Sequence, residues 1–136
     1  MNIENLNSQQ KLAVETVGGP MLVFAGAGSG KTRVLTYKIA YLIQNVGLPP
    51  ENILAVTFTN KASQEMKVRI SKLVEHDISA ISIGTFHSIG AMILRRHINL
   101  IGFANDFTIY DQADSKSLIK KIIKKLNLDL KVFDRI

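Results

Sequence analysis

A glycine-rich loop with a single lysine constrains the fold of this chain more than any other segment. Residues 25 to 32 spell Ala-Gly-Ala-Gly-Ser-Gly-Lys-Thr and follow an apolar run at residues 21 to 24. A strand, a glycine-rich loop and a helix in this order form the phosphate-binding loop. The strict pattern begins with Gly, whereas this chain has Ala25 at that position. The sequence predicts an α/β fold built around an anion-binding turn.

The chemistry of the loop residues indicates a nucleoside triphosphate with Mg²⁺ as the ligand. Glycine allows positive φ and close approach of the backbone to a ligand, and successive N–H groups can surround an anion. Lys31 can reach the terminal phosphates, and the Thr32 hydroxyl can join the coordination shell of Mg²⁺. The alternative is an ordinary glycine turn between a strand and a helix. The predicted ligand-binding loop comprises Ala25, Gly26, Ala27, Gly28, Ser29, Gly30, Lys31 and Thr32.

Composition limits the class of protein. The 136 residues are 46% hydrophobic and 21% charged, which is typical of one globular domain with a sizeable core. The absence of cysteine excludes disulfides and thiolate zinc sites. The polar N-terminus lacks an apolar signal core, and no apolar run approaches the length of a membrane span. We therefore expect a cytoplasmic protein that does not associate with membranes, and the net charge of +6 suits a polyanionic partner.

Hydrophobic periodicity predicts alternating helices and strands. Predicted strands cover residues 21–25, 53–58, 80–83 and 107–110. Predicted helices cover residues 6–17, 31–45, a segment that Thr59 or Asn60 caps, residues 85–96 and a last segment that Asp111 caps. This alternation indicates a parallel sheet flanked by helices, with a helical C-terminal end. Apolar residues at helical spacing are expected to face the core, among them Leu6, Leu12, Ala13, Ile39, Ile70 and Phe86. The same holds for the apolar face of the last helix, at positions 118, 119, 122, 123 and 126.

Three polar segments follow three of the predicted strands, at residues 25–32, 57–61 and 84–88. Ligands of parallel α/β sheets bind at the carboxyl ends of the strands. We therefore expect these segments to share one rim, where a nucleotide and a second ligand would lie close together.

These segments, in this order, resemble motifs of the UvrD/Rep/PcrA family of superfamily 1 DNA helicases. Residues 6–10, Leu-Asn-Ser-Gln-Gln, resemble its Q motif, and residues 25–35 resemble its motif I. Residues 53–69, which include Thr-Phe-Thr-Asn-Lys-Ala, resemble motif Ia. Residues 84–96, which begin Gly-Thr-Phe-His-Ser, resemble motif Ib. The resemblance covers nearly the whole chain and implies a RecA-like, P-loop NTPase fold.

The resemblance also implies a role for individual residues. Gln10 would bond the adenine edge, and Arg33 would pack beside the base or ribose. Lys31 would neutralise the β- and γ-phosphates of ATP, and Thr32 would ligate Mg²⁺. A track for single-stranded DNA would be lined by Phe58, Thr59, Asn60, Thr85 and His87.

The family implies an ATP-dependent 3′-to-5′ helicase or translocase that acts on single-stranded DNA in repair or replication. Residues 1–110 would be the N-terminal part of motor domain 1A, and residues 111–136 the start of a helical 1B-like subdomain. The family's acidic Asp-Glu motif and its remaining motor domains would lie beyond residue 136, so we expect the chain to be inactive alone. Two alternatives are a stand-alone, non-catalytic nucleotide- or nucleic-acid-binding module and a small phosphate-loop kinase. Motifs Ia and Ib argue against the kinase.

Overall fold

The computed structural model describes residues 3–75 and 77–128, and these form helices and one small sheet. The helices are α1 (Ser8–Glu15), α2 (Lys31–Gln44), α3 (Asn60–Ser71), α4 (Phe86–His97) and α5 (Gln112–Lys125), and the strands are β1 (Leu54–Thr57) and β2 (Ser82–Thr85). Short 3-10 turns cover Pro50–Asn52 and Ile98–Ile101. The predicted α/β class is confirmed, and the predicted helices all form with slightly different ends.

The chain divides into two compact units, with the division after Leu94. The first unit holds the glycine-rich loop, α1 to α3, both strands and most of α4. The second unit begins at Arg95 and contains α5.

The two strands of the first unit are parallel and in register. Leu54 pairs with Ser82, and Thr57 pairs with Thr85 at the other end. Parallel strands need a crossover connection, and α3 provides it. The carboxyl ends of both strands therefore lie at the same edge, so the segments that follow Thr57 and Thr85 begin side by side.

The core of the first unit lies where α2 and α3 pack near the strand pair. Aliphatic side chains fill it because α2 and α3 both present apolar residues at helical spacing. Ile70 is completely buried and Met66 nearly so. The buried cluster consists of Ile39, Ala40, Ile43, Ile53, Met66, Ile70, Val74, Ile81 and Ile83.

Residues 21 to 25 do not form the predicted buried strand. The segment has no regular secondary structure, and Leu22 and Phe24 are 78% and 91% exposed. A strand requires neighbouring backbone groups to pair with. In residues 3–75 and 77–128, the sheet consists of β1 and β2 alone, so this apolar run has no partner.

Packing of α1 differs from the sequence prediction in one position. Leu6 and Ala13 are buried as expected, but Leu12 is 61% exposed and the prediction for it is wrong. Val14, two residues further along, is fully buried instead. The helix is short, and its buried side is therefore set by contact with α2 rather than by its own weak apolar pattern.

The second unit confirms one prediction and contradicts two. Asp111 caps α5 in a reciprocal capping box with Asp114, as the sequence predicts. Residues 107–110 form no strand, since no described strand pairs with them. Ile123 is buried, but the other positions of the predicted buried face are 40% to 61% exposed, namely Leu118, Ile119, Ile122 and Leu126. Residues 129–136, the end of the predicted second domain, lie outside the described residues.

Candidate functional site

The glycine-rich loop enters α2 through backbone conformations that only glycine adopts easily. Gly28 and Gly30 have φ of 75° and 86°, and Gly30 is the N-cap of α2. Gly26 does not have positive φ, although its carbonyl accepts bonds from the Ser29 hydroxyl at 2.7 Å and the Ser29 N–H at 3.4 Å. Two of the three glycines of the loop therefore have the positive φ that the sequence predicted for them.

The first turn of α2 presents unpaired donors. The backbone N–H groups of Lys31, Thr32 and Arg33 donate to no acceptor among the described residues, and Gly30 provides no side-chain cap. The N-terminal end of a helix also carries a partial positive charge. This end of α2 therefore has the polarity and the donors that an anion requires.

The two side chains that follow the loop differ in their contacts. The Lys31 ammonium donates to the Ala25 carbonyl at 3.1 Å and to the Gly26 carbonyl at 2.7 Å. The Thr32 side chain is half-buried, and its hydroxyl bonds to none of the described residues. Lys31 thus lies over its own loop, and the Thr32 hydroxyl is available to a ligand.

Gln10 and Arg33 connect the N-terminal segment to this loop. Gln10 Nε2 donates to the Ser29 carbonyl at 3.0 Å, and Gln10 Oε1 accepts from the Asn7 N–H at 3.1 Å. Arg33 Nη2 donates to the Asn5 carbonyl at 2.9 Å, and its guanidinium lies 5.6 Å from the Tyr37 ring centre. Both residues lie beside the loop, so their predicted roles at the base remain predictions.

A cavity of about 500 Å³ lies beside the loop and reaches Gln10, Ser29 and Lys31. Its walls are α1, the segment from residue 21 to 26 and the first half of α2, and they are mostly apolar. The polar residues of the lining are Asn7, Gln9, Gln10, Ser29, Lys31 and Lys38. An apolar cleft with few polar groups is the usual form of a small-molecule site.

The rim at the carboxyl ends of β1 and β2 carries an exposed aromatic pair. Phe58 is 91% exposed and Phe86 is 61% exposed, and their ring centres lie 5.7 Å apart at 53°. Phe86 was expected in the core, and that prediction is wrong because α4 buries Ile89, three residues later, instead. Two of the three segments expected at one rim are therefore adjacent.

The other predicted DNA-contacting residues surround this pair. Thr59 is exposed and caps α3 by accepting from the Ala62 N–H at 3.1 Å, and Asn60 and His87 are exposed. Thr85 is buried, and its hydroxyl is shared with Ser88 in the first turn of α4. A ligand at this edge would meet Phe58, Thr59, Asn60 and His87 before Thr85.

Sequence reasoning missed three features of the site. The Asn7–Gln10 capping box could have been found from its spacing, because Asn at the N-cap and Gln three residues later is a known signature. The exposure of Phe86 and the contacts of Lys38, which donates to three carbonyls at the end of α1, have no local signal.

The described residues contain neither a cluster of metal ligands nor a membrane-spanning helix. Within residues 3–75 and 77–128, there is no cluster of three or more His, Cys, Asp or Glu side chains that could bind a metal ion. Over the same residues, every helix is too short or too polar to cross a membrane.

The fold and this site define an α/β protein in which a glycine-rich loop leads into a helix beside a parallel strand pair. A family model described as the UvrD/REP helicase N-terminal domain matches residues 6–135. The chain therefore belongs to the UvrD/REP helicase family, as its motifs suggested.

Named relatives are similar over nearly all of the chain. The ATP-dependent DNA helicase PcrA of Staphylococcus epidermidis strain RP62A is 52% identical over 132 residues, or 97% of this chain. The protein of the same name in Staphylococcus aureus strain Mu50 is 50% identical over the same length. In both comparisons the chain spans only 18% of the relative's length.

Proposed function

We propose that this chain is the N-terminal ATP-binding part of an ATP-dependent DNA helicase with 3′-to-5′ polarity. The parent protein would act on single-stranded DNA in cytoplasmic DNA repair or replication. The observation that carries the proposal is the placement of Lys31, the first residue of α2, directly after the left-handed Gly30 and beside unpaired N–H groups. Membership of the family and the printed names of the relatives support the same function.

The loop would bind the triphosphate of ATP. The N–H groups from Ala25 to Arg33 would surround the phosphates, and the Lys31 ammonium would exchange its two loop carbonyls for phosphate oxygens. Thr32 would be the chain's ligand to Mg²⁺, since its hydroxyl is available and the described residues offer no acidic cluster. When bound, Mg²⁺ would neutralise charge on the phosphates. Gln10 would meet the adenine.

The fold proposed for the parent is a RecA-like P-loop NTPase domain. Residues 1–110 would belong to domain 1A, and residues 111–136 would begin a 1B-like subdomain. The exposed apolar segment at residues 21 to 25 is what such a sheet would contain as a strand, with pairing supplied by the rest of the parent protein. The remaining motor domains would thus be this chain's structural partners.

Single-stranded DNA would lie along the rim at the ends of β1 and β2. Exposed aromatic rings stack on bases without regard to sequence, and Phe58 and Phe86 provide two such rings. The side chains of Thr59, Asn60 and His87 would bond phosphates, with Thr85 behind them. Because β1 is followed at once by α3 and β2 by α4, a shift at this rim would move both helices.

Binding of MgATP to wild type and to Lys31→Ala tests the nucleotide site. Loss of the ammonium should weaken binding by about tenfold or more, because charge-assisted bonds to phosphate are lost. Lys67→Ala is the matched control, since Lys67 is an exposed lysine on α3, away from the cavity. Equal affinities of wild type and Lys31→Ala would refute the site.

The chain alone should hydrolyse ATP at the background rate. Phosphoryl transfer needs a positioned water and charge stabilisation from several sides, and this chain supplies only part of that set. A colorimetric phosphate assay with and without single-stranded DNA measures it. Turnover that Lys31→Ala abolishes would show that the parts present suffice.

The DNA track is tested by fluorescence anisotropy with a labelled single-stranded oligonucleotide across a salt series. Phe58→Ala should weaken binding by about 1–3 kcal/mol, the usual contribution of one stacked base. Phe103→Ala removes an exposed ring from the second unit and should have no effect. An affinity that changes neither with salt concentration nor on replacement of Phe58 would exclude the DNA track.

A stand-alone binding module remains the second candidate function. It predicts the same binding but no downstream Asp-Glu motif in the gene.

A further inference from the structure

Helix α1 is too short to hold its own position. It has eight residues, and isolated helices below about 12 residues are marginal in water. Its N-terminal end is closed by the Asn7–Gln10 capping box, but its last turn contains no basic residue that could neutralise the carbonyl end. Gln10 lies in the first turn of α1, and its position therefore depends on groups outside this helix that hold the helix in place.

Lys38 of α2 supplies the missing cation. Its Nζ donates to the carbonyls of Ala13 at 3.2 Å and Val14 at 3.1 Å, and also to the carbonyl of Thr16. The first two belong to the last turn of α1 and the third to its C-cap, and such carbonyls have no partner within a helix. A cation at this end also interacts favourably with the helix dipole.

Lys38 also lines the cavity, but its ammonium is already bonded at the end of α1. A lysine ammonium has three N–H groups, and the three carbonyls of α1 take all of them. Burial lowers the pKa of Lys38, so the carbonyls compensate an ammonium that has lost part of its hydration. The group is structural for α1, in contrast to Lys31, whose ammonium donates to its own loop.

We infer that Lys38 is a positioning residue for the base end of the nucleotide site, acting through α1 on Gln10. It fixes one end of α1 to α2, and the Gln10–Ser29 bond fixes the other end to the loop. The inference rests on the proposed function, because Gln10 must face the base for its position to matter. Lys38 would therefore affect recognition of the base and leave recognition of the phosphates unchanged.

The test compares two ligands, MgATP and magnesium tripolyphosphate, which lacks the base and ribose. Lys38→Met keeps the aliphatic stem and removes the donors, so MgATP should bind about three- to tenfold more weakly, the usual effect of one lost hydrogen bond. Tripolyphosphate affinity should stay the same. Lys38→Arg retains donors for the carbonyls and should restore MgATP binding, and Lys67→Met is the control for loss of an exposed lysine.

A second measurement needs no nucleotide. The Gln10 side-chain amide resonances, assigned by their loss in Gln10→Ala, should move toward free glutamine values in Lys38→Met and not in Lys38→Arg. Equal weakening of both ligands, or unchanged affinities with unchanged Gln10 resonances, would overturn the inference. If wild type binds neither ligand, the proposed function fails, and the Gln10 resonances alone decide whether Lys38 positions this side chain.

Discussion

Replacement of Gly30 by alanine should destabilise the protein more than the same replacement at Gly28. Both glycines have positive φ, 86° and 75°, so alanine at either position adopts a left-handed backbone at a cost of about 1–2 kcal/mol. The surroundings differ. A Cβ at Gly28 would meet nothing within 4 Å, whereas a Cβ at Gly30 would lie 2.9 Å from Gln10 Nε2.

The additional cost at Gly30 follows from the contact it creates. Nε2 is the far end of a flexible side chain, so Gln10 can move aside, but it then loses its bond to the Ser29 carbonyl. A net hydrogen bond contributes about 1 kcal/mol, so Gly30→Ala should be destabilised by about 1 kcal/mol more than Gly28→Ala. The effect of alanine on the unfolded chain is the same for both variants and cancels in the comparison.

Urea unfolding of both variants measures this difference, and a double-mutant cycle assigns its source. In a Gln10→Ala background the clash is absent, so the two glycine variants should differ by less than about 0.5 kcal/mol. If Gly30→Ala and Gly28→Ala are equally destabilised in the wild-type background, Gln10 does not contact the loop as described. If Gly30→Ala is still more destabilised than Gly28→Ala in the Gln10→Ala background, the difference comes from the backbone and not from Gln10.

Three further predictions concern stability. Ile70→Ala should lower the free energy of unfolding by about 2–5 kcal/mol in urea melts, because Ile70 is fully buried, and a loss below about 1 kcal/mol would contradict its place in the core. Asp111→Ala should reduce the helix signal of α5 in circular dichroism at a cost of about 0.5–2 kcal/mol, whereas an unchanged signal would show that the capping box contributes nothing. Hydrogen bonds from the Ser79 hydroxyl and N–H lower the pKa of Asp77 below its ordinary value of 3.8. The contribution of this carboxylate to the free energy of unfolding is therefore complete above pH 3.8, and it is lost as the pH falls through the lower pKa of the folded state. Urea melts of wild type and Asp77→Asn should converge below that value, and a constant difference would refute the assignment.

Local chemistry predicted the elements whose stability is local. Thr59 and Asp111 cap their helices as expected, because a capping side chain bonds its own neighbouring backbone. The apolar spacing of α2 and α3 likewise placed Ile39 and Ile70 in the core. These signals lie within a few residues, so one sequence contains them.

Features that depend on distant partners were not predictable in the same way. Residues 21 to 25 have the composition of a buried strand, but a strand forms only where another backbone pairs with it. The exposed side of α5 and the exposure of Phe86 have the same cause, since an apolar pattern specifies a preference for burial and not the surface that provides it.

The site shows both cases. The loop and the rim segments were predicted from residue types, and the parallel register of β1 with β2 brings Phe58 to Phe86. The bonds of Gln10 to Ser29 and of Lys38 to α1 join residues 19 or more positions apart. The hydrophobic periodicity of a sequence does not predict hydrogen bonds between such distant residues.

The contact of Lys31 with its own loop has a consequence for ligand selectivity. A small monovalent anion would have to compete with two carbonyl oxygens for the ammonium and would gain little from the exchange. A polyphosphate offers several oxygens to the ammonium and to the backbone amides at once, so only a multidentate ligand replaces those carbonyls at a net gain. The resting arrangement thereby favours a polyphosphate over a small monovalent anion such as chloride.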